Sequence, residues 1–144
     1  MPELIINRGI PGSGKSTYAN AWVQEELGRV RVNRDDIRFQ CYGVYFGKPI
    51  DEGVVTAIED AMIIAALKAE VSVIVDDCNI AGRYVYRFKR MAAENGADFS
   101  VVLHDVPLKV ALKRNSNRER FVPENVIRSM YDNLMKELSY ESKS

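Results

Sequence analysis

Short apolar runs alternate with longer amphipathic stretches along this chain, and the alternation reads as strand and helix in turn. Residues 4–8 form an apolar-centred run that reads as a buried strand, and residues 15–27 carry apolar positions at helical spacing. Residues 29–33 alternate as a second strand. A short helix follows Asp35 and dies out before the turn-rich loop of residues 43–49. Asp51 or Glu52 caps a long helix to about Ala69, expected to bury Ile58, Ala61, Met62, Ala65 and Ala66. Residues 71–75 are the clearest buried strand. Residues 83–95 read as a helix stopped by Gly96, and residues 99–104 as a further strand. Pro107 and Pro123 each open a helix, the last running to about Leu138, and the polar residues 139–144 are expected to fray.

Strands separated by helices imply an α/β protein: a mostly parallel sheet, helices on both faces, right-handed crossovers. In such sheets ligands gather at the carboxyl ends of the strands. The residues following each strand are therefore the candidates for chemistry.

After the first strand comes GIPGSGKST at residues 9–17, which fits G-x-x-x-x-G-K-[ST] and opens a helix. Gly9, Gly12 and Gly14 free the backbone to turn successive N–H groups toward phosphate oxygens. The helix beginning near Lys15 adds the positive end of its dipole. Lys15 can reach the β- and γ-phosphates, and the Ser16 hydroxyl can ligate Mg²⁺. The segment predicts nucleoside triphosphate binding on a P-loop NTPase-type fold.

The second strand ends in Asn33-Arg-Asp-Asp-Ile-Arg38. A carboxylate there can orient a substrate hydroxyl and accept its proton, and an arginine one turn later can hold an anion on the same substrate. Asp35 and Asp36 can equally be helix caps. The third strand ends in Asp76-Asp-Cys-Asn79, where a carboxylate either supports a metal site or belongs to an Asx turn. Residues 113–120 are polar and basic; alone they could be an exposed helix end whose bases complement the dipole, and beside a phosphate loop they read as a lid over the phosphates, at about residues 114–122. His104, the only histidine, reads as structural, Trp22 as packing, and Tyr42, Tyr45 and Phe46 as satellite core.

At 144 residues the chain is read as one domain, 1–144, and a composition 47% hydrophobic and 28% charged excludes a disordered chain. Twenty basic residues balance twenty acidic ones, which excludes a protein that coats nucleic acid by charge alone; any such contact is local. No leader pattern and no apolar run long enough for a bilayer is seen, so a cytoplasmic protein without a membrane partner is expected. Cys41 and Cys78 read as reduced thiols.

Taken together, GIPGSGKST, NRDDIR at 33–38, DDCN at 76–79, HDVPLKVALKRNSNR at 104–118 and VPENVIRSMYDNL at 122–134 resemble the 5′-kinase domain of phage-type polynucleotide kinase. The resemblance spans nearly the whole chain in matching order. It implies transfer of the γ-phosphate of ATP, with Mg²⁺, to the 5′-hydroxyl end of DNA or RNA. It implies a nucleotide site made by Gly9, Pro11, Gly12, Ser13, Gly14, Lys15, Ser16 and Thr17, with Arg114 and Arg118 from the lid. Ser16 would ligate the metal, Asp35 would be the general base, and Arg38 would hold a phosphate of the acceptor strand. Asp77 and Val122 would lie on the acceptor side, and Arg118 would stabilise the transferring group. No DxDGT-type phosphatase motif occurs, so no 3′-phosphatase activity is expected of this polypeptide. Cys78 stands where the family has Thr or Ser, and the lid's tail is shorter. Partners that fit are a second copy of the chain and a separate phosphatase or ligase. The rival readings are a P-loop kinase of a small-molecule hydroxyl and a non-catalytic nucleotide-binding module.

Overall fold

The first apolar run becomes β1 (Glu3–Arg8), in which every residue after Glu3 is buried. In the computed structural model, which describes residues 1–118 and 122–143, β1 is a central strand. It lies between β3 (Val73–Val75) and β4 (Asp98–Leu103), with β2 (Val30–Val32) beyond β3. All three pairings are parallel, with Leu4 opposite both Val73 and Phe99. The helices are α1 (Lys15–Glu25), α2 (Arg34–Tyr42), α3 (Glu52–Lys68), α4 (Gly82–Glu94), α5 (Leu108–Ser116) and α6 (Glu124–Glu141). The expected α/β architecture holds, and its boundaries move by one to three residues.

A parallel sheet has to be covered on both faces, and the pleat of β1 shows how. Leu4 and Ile6 point into a core with Ile63, Leu67, Val73 and Phe88. Ile5 points the other way, to Ala19 and Trp22 of α1 and to Ile74. A third cluster, Ile10, Ala111, Ile127 and Leu134, fastens the phosphate loop to α5 and α6.

The buried face of α3 differs from the expectation. Val55, Glu59, Ile63 and Leu67 are buried, whereas Ala61, Met62 and Ala65 are exposed and Ile58 and Ala66 are half-buried. The buried stripe repeats every fourth residue and contains an acid, so counting apolar side chains pointed to the wrong side. Phe46 is 66% exposed and is not satellite core, although Tyr42 packs on the main cluster.

The last helix also runs on past Leu138 to Glu141. Arg8 causes this. Arg8 is only 3% exposed. It donates to the carbonyls of Asn79 and Ile80 and closes on both oxygens of Glu141 at 2.9 Å. Residues 139–141 of the polar tail are thus helical, and Glu141 is tied to the end of β1. Among the described residues no helix is long and apolar enough to cross a membrane.

Candidate active site

Three loops at the carboxyl ends of the strands meet in one cleft of about 590 Å³. The phosphate loop supplies Pro11, Lys15 and Ser16; the start of α2 supplies Asp35 and Arg38; the end of β3 supplies Asp76 and Asp77; Arg118 and Val122 close the rim. Gly9, Gly12, Ser13, Gly14, Thr17 and Arg114 shape or flank the loop without lining the cleft.

The loop's path depends on Gly12 (φ 82°) and Gly14 (φ 99°), conformations that other residues avoid. A Cβ on Gly12 would stand 2.4 Å from the Ala111 carbonyl oxygen of α5. The Gly9 amide donates to the Cys78 carbonyl at 2.9 Å, which fastens the loop to the end of β3. Lys15 opens α1 and donates from Nζ to the Ile10 carbonyl at 2.8 Å. Ser13 is buried with its hydroxyl unpartnered. Arg114, in the last turn of α5, reaches the Gly12 carbonyl at 3.5 Å. Residues 114–116 of the expected lid are thus helix, and Glu119, Arg120 and Phe121 fall outside the described residues.

On the phosphate side the organising group is Asp76, a carboxylate with no exposed side-chain surface. It accepts from Ser16 Oγ at 2.9 Å, from Asn7 Nδ2 at 3.1 Å and from Arg31 Nε at 2.8 Å. A hydroxyl held against a carboxylate is a set of hard oxygen donors, which suits Mg²⁺ once phosphate oxygens and water complete the shell. Among the described residues there is no cluster of three acidic, His or Cys side chains to hold a metal without phosphate. Asn7 gives both amide hydrogens away, to Lys15 O and Asp76. Its Oδ1 can therefore only accept, and His104 Nε2, 2.9 Å away, is the donor. Burial, then the charge of Lys15, pushes His104 down from its ordinary value. The neutral ring bonds Asn7 and packs edge-on to Tyr18, a structural role, as expected.

On the opposite side Asn33 caps α2, its side chain accepting from Asp36 N at 2.9 Å. Asp35 is therefore not the side chain that caps the helix. It lines the cleft and takes Arg38 Nη1 at 2.8 Å. Arg38 is held from behind by Glu52, Nε to Oε1 at 2.7 Å. Hydrogen bonding to Arg38 brings Glu52 below the usual carboxylate range. Asp77 faces away from Ser16 and accepts the backbone N–H of Arg34 at 2.9 Å.

The acidic pair at 76–77 is thus divided. Sequence reasoning chose Asp77 and missed Asp76, although successive residues at a strand end point to opposite sides. It also missed Arg31 and Glu52, whose importance appears only when their partners are in place.

Strand, phosphate loop and helix in a parallel sheet, with an acid–base pair facing the loop, define the P-loop kinase class. The chain belongs to the AAA_33 family of AAA domains, whose model matches residues 4–137. It is 29% identical over 154 residues to a putative bifunctional polynucleotide kinase/RNA ligase of Autographa californica nuclear polyhedrosis virus, covering 96% of this chain and 22% of that protein. It is 30% identical over 133 residues to the L-seryl-tRNA(Sec) kinase of Methanococcus maripaludis, covering 90% of this chain and 51% of that protein. Among solved structures, a chain of the Pnkp1/Rnl/Hen1 RNA repair complex superposes with a TM-score of 0.86 at 33% identity, over 96% of this chain and 46% of that one. A gluconokinase from Sinorhizobium meliloti shares the fold, with a TM-score of 0.61 at 19% identity over 92% of this chain and 74% of that one. The chain spans about half the length, or less, of the curated relatives it matches. The expected likeness to polynucleotide kinase domains is borne out.

Proposed function

We propose that this chain is an ATP-dependent kinase that phosphorylates the 5′-hydroxyl end of a polynucleotide. The observation that carries the reading is the cleft itself. Lys15 and Ser16 stand on one wall and the Asp35–Arg38 pair on the other, with Arg118 at the rim. Likeness to a viral polynucleotide kinase/RNA ligase and to an RNA repair complex favours a polynucleotide acceptor.

Mg²⁺, when bound with nucleotide, would supply neutralisation of the phosphate charge. Ser16 would hold it, oriented by Asp76. The loop amides and Lys15 cradle the phosphates, and Arg38 holds a phosphate of the acceptor strand beside the terminal hydroxyl. The acceptor oxygen forms a bond to the γ-phosphorus as the bond to the β-bridging oxygen breaks. The hydroxyl proton passes to Asp35, and ADP leaves. Arg118 balances the charge on the transferring group. Catalysis on this scheme is mainly positioning and electrostatic stabilisation.

The neutral net charge fits recognition of one strand end, since few phosphates are contacted. A ligase partner fits as well, because the viral relative is named for both activities. The archaeal relative is named for a different hydroxyl, that of a seryl-tRNA, so a non-terminal alcohol is the second reading. The test is transfer of label from γ-labelled ATP and Mg²⁺ to a 5′-hydroxyl oligonucleotide, beside a 5′-phosphorylated oligonucleotide, seryl-tRNA and small alcohols. The reading expects label on the 5′-hydroxyl strand alone, reduced by about 10²–10⁴-fold in Asp35→Asn. Label on another acceptor, or an Asp35→Asn variant as active as the parent, overturns it.

A further inference from the structure

Helix α3 buries Val55, Glu59, Ile63 and Leu67 on successive turns. Glu59, 1% exposed, is the one acid in that stripe, and an ionised carboxylate is costly there without a close partner. The Arg34 guanidinium engages Glu59 only loosely: its Nη1 stands 3.7 Å from Glu59 Oε1 and donates to Thr56 Oγ1 at 2.9 Å, while its Nη2 pairs with Glu52 Oε2 at 3.0 Å. Glu59 Oε2 is buried and unpartnered, and so is Asp77 Oδ2. Both carboxyl groups face Arg34, Glu59 toward its guanidinium and Asp77 at its backbone N–H, and both line the same cleft. A single proton between them gives both orphaned oxygens a partner.

That proton sits on Glu59, which is pushed up to about 10 by burial and then by the charge of Asp77. Burial pushes Asp77 up as well, but the hydrogen bonds from Glu59 and from the Arg34 amide pull it back, so Asp77 is the acceptor. Its other oxygen holds Arg34 N, the first amide of α2. The charged groups around the pair are Arg34 of α2, Asp76 beyond β3, and Asp60 of α3. Asp60 is itself paired with Arg87 of α4.

We propose that Glu59 is a positioning residue for phosphoryl transfer: hydrogen-bonded to Asp77, it keeps that carboxylate on the Arg34 amide and so fixes the start of α2, where Asp35 and Arg38 stand. The inference rests on the kinase reading above and adds a residue that touches no substrate.

Two variants separate this role from simple packing. Glu59→Gln keeps a donor for Asp77 and an acceptor toward Arg34, whereas Glu59→Leu fills similar space with no donor. Three quantities are measured on the whole chain: amide hydrogen exchange at Arg34, kcat and KM for each substrate, and the infrared band of a protonated carboxyl. Glu59→Leu is expected to lose protection at Arg34 and to lower kcat by about tenfold or more, with KM for ATP unchanged. Glu59→Gln is expected to restore both. The infrared band is expected in the parent protein near neutral pH and absent from Glu59→Gln.

Unchanged exchange and kcat in Glu59→Leu overturn the proposal, as does a Gln variant no better than Leu. Absence of the band from the parent overturns it too, and that arm stands even where Glu59→Leu fails to fold. A parent protein that phosphorylates no 5′-hydroxyl strand sinks the kinase reading instead, while the exchange and infrared arms still judge the Glu59 link.

Discussion

Ser16 and Asp76 are sixty residues apart in the chain and joined by a hydrogen bond of 2.9 Å. The bond ties the first turn of α1 to the end of β3. The oxygen it uses, Asp76 Oδ2, also takes Arg31 Nε at 2.8 Å, and Arg31 Nη1 continues to Asp36 Oδ2 at 2.6 Å. A single carboxylate therefore orients the Ser16 hydroxyl and, through one arginine, the helix that carries Asp35.

Asp76→Asn is expected to weaken the dependence of nucleotide binding on Mg²⁺ and to cut transfer by about 10–100-fold, the usual effect of losing a group that orients a ligand. Titrating Mg²⁺ at fixed ATP checks this. A parent-like Mg²⁺ midpoint would show that Asp76 leaves Ser16 unaffected.

Gly12 has no room for a methyl group. Gly12→Ala forces a side chain into positive φ and against the Ala111 carbonyl oxygen. Strain of this kind costs about 1–3 kcal/mol, and relief requires α5 or the loop to shift. ATP binding by calorimetry is expected to weaken at least tenfold, or about 1.4 kcal/mol, while α3, at a distance from the clash, keeps its amide protection.

Glu59 makes stability depend on pH in a definite direction. It is an acid whose ordinary value of 4.5 is raised to about 10 in the folded protein, so the folded state holds a proton that the unfolded chain releases. The stability this gives is complete below about pH 4.5 and declines as pH rises toward 10. Glu59→Gln does not titrate. Its Tm should therefore gain steadily on the parent's between about pH 5 and about pH 9. Parallel Tm curves would show that Glu59 titrates normally.

The tie between Arg8 and Glu141 is open to truncation. Glu141→Ala leaves a buried guanidinium with its two carbonyl partners and without the carboxylate. Glu141 is 41% exposed, which tempers the loss. The expected cost is about 1–2 kcal/mol, read as a lower urea midpoint with an unchanged slope. An unchanged midpoint would mean that the tail adds nothing to the fold.

The sheet and its helices were legible because apolar runs and helical periodicity alternate, with Gly9, Asn33, Gly43, Asp76 and Gly96 closing several of the elements. GIPGSGKST and NRDDIR announced themselves because backbone conformation and phosphate chemistry restrict those positions locally. The buried face of α3 was not legible, since its stripe passes through Glu59, whose surroundings, Arg34 among them, come from elsewhere in the chain. Arg8 reads in sequence as the polar end of a strand. Its burial depends on Glu141, more than a hundred residues away. Asp76 was hidden by its neighbour, because the sequence gives no sign of which acid turns toward Ser16.

The shared oxygen of Asp76 has one further consequence. On the proposed kinase reading, whatever binds at Ser16 would change the field at Arg31, which grips Asp36 directly, so donor and acceptor would be coupled in the cleft. Reciprocity then sets a strict accounting: the factor by which nucleotide and Mg²⁺ alter affinity for the acceptor end must equal the factor by which that end alters affinity for nucleotide and Mg²⁺. Replacing Arg31 by methionine should drive both factors toward one together.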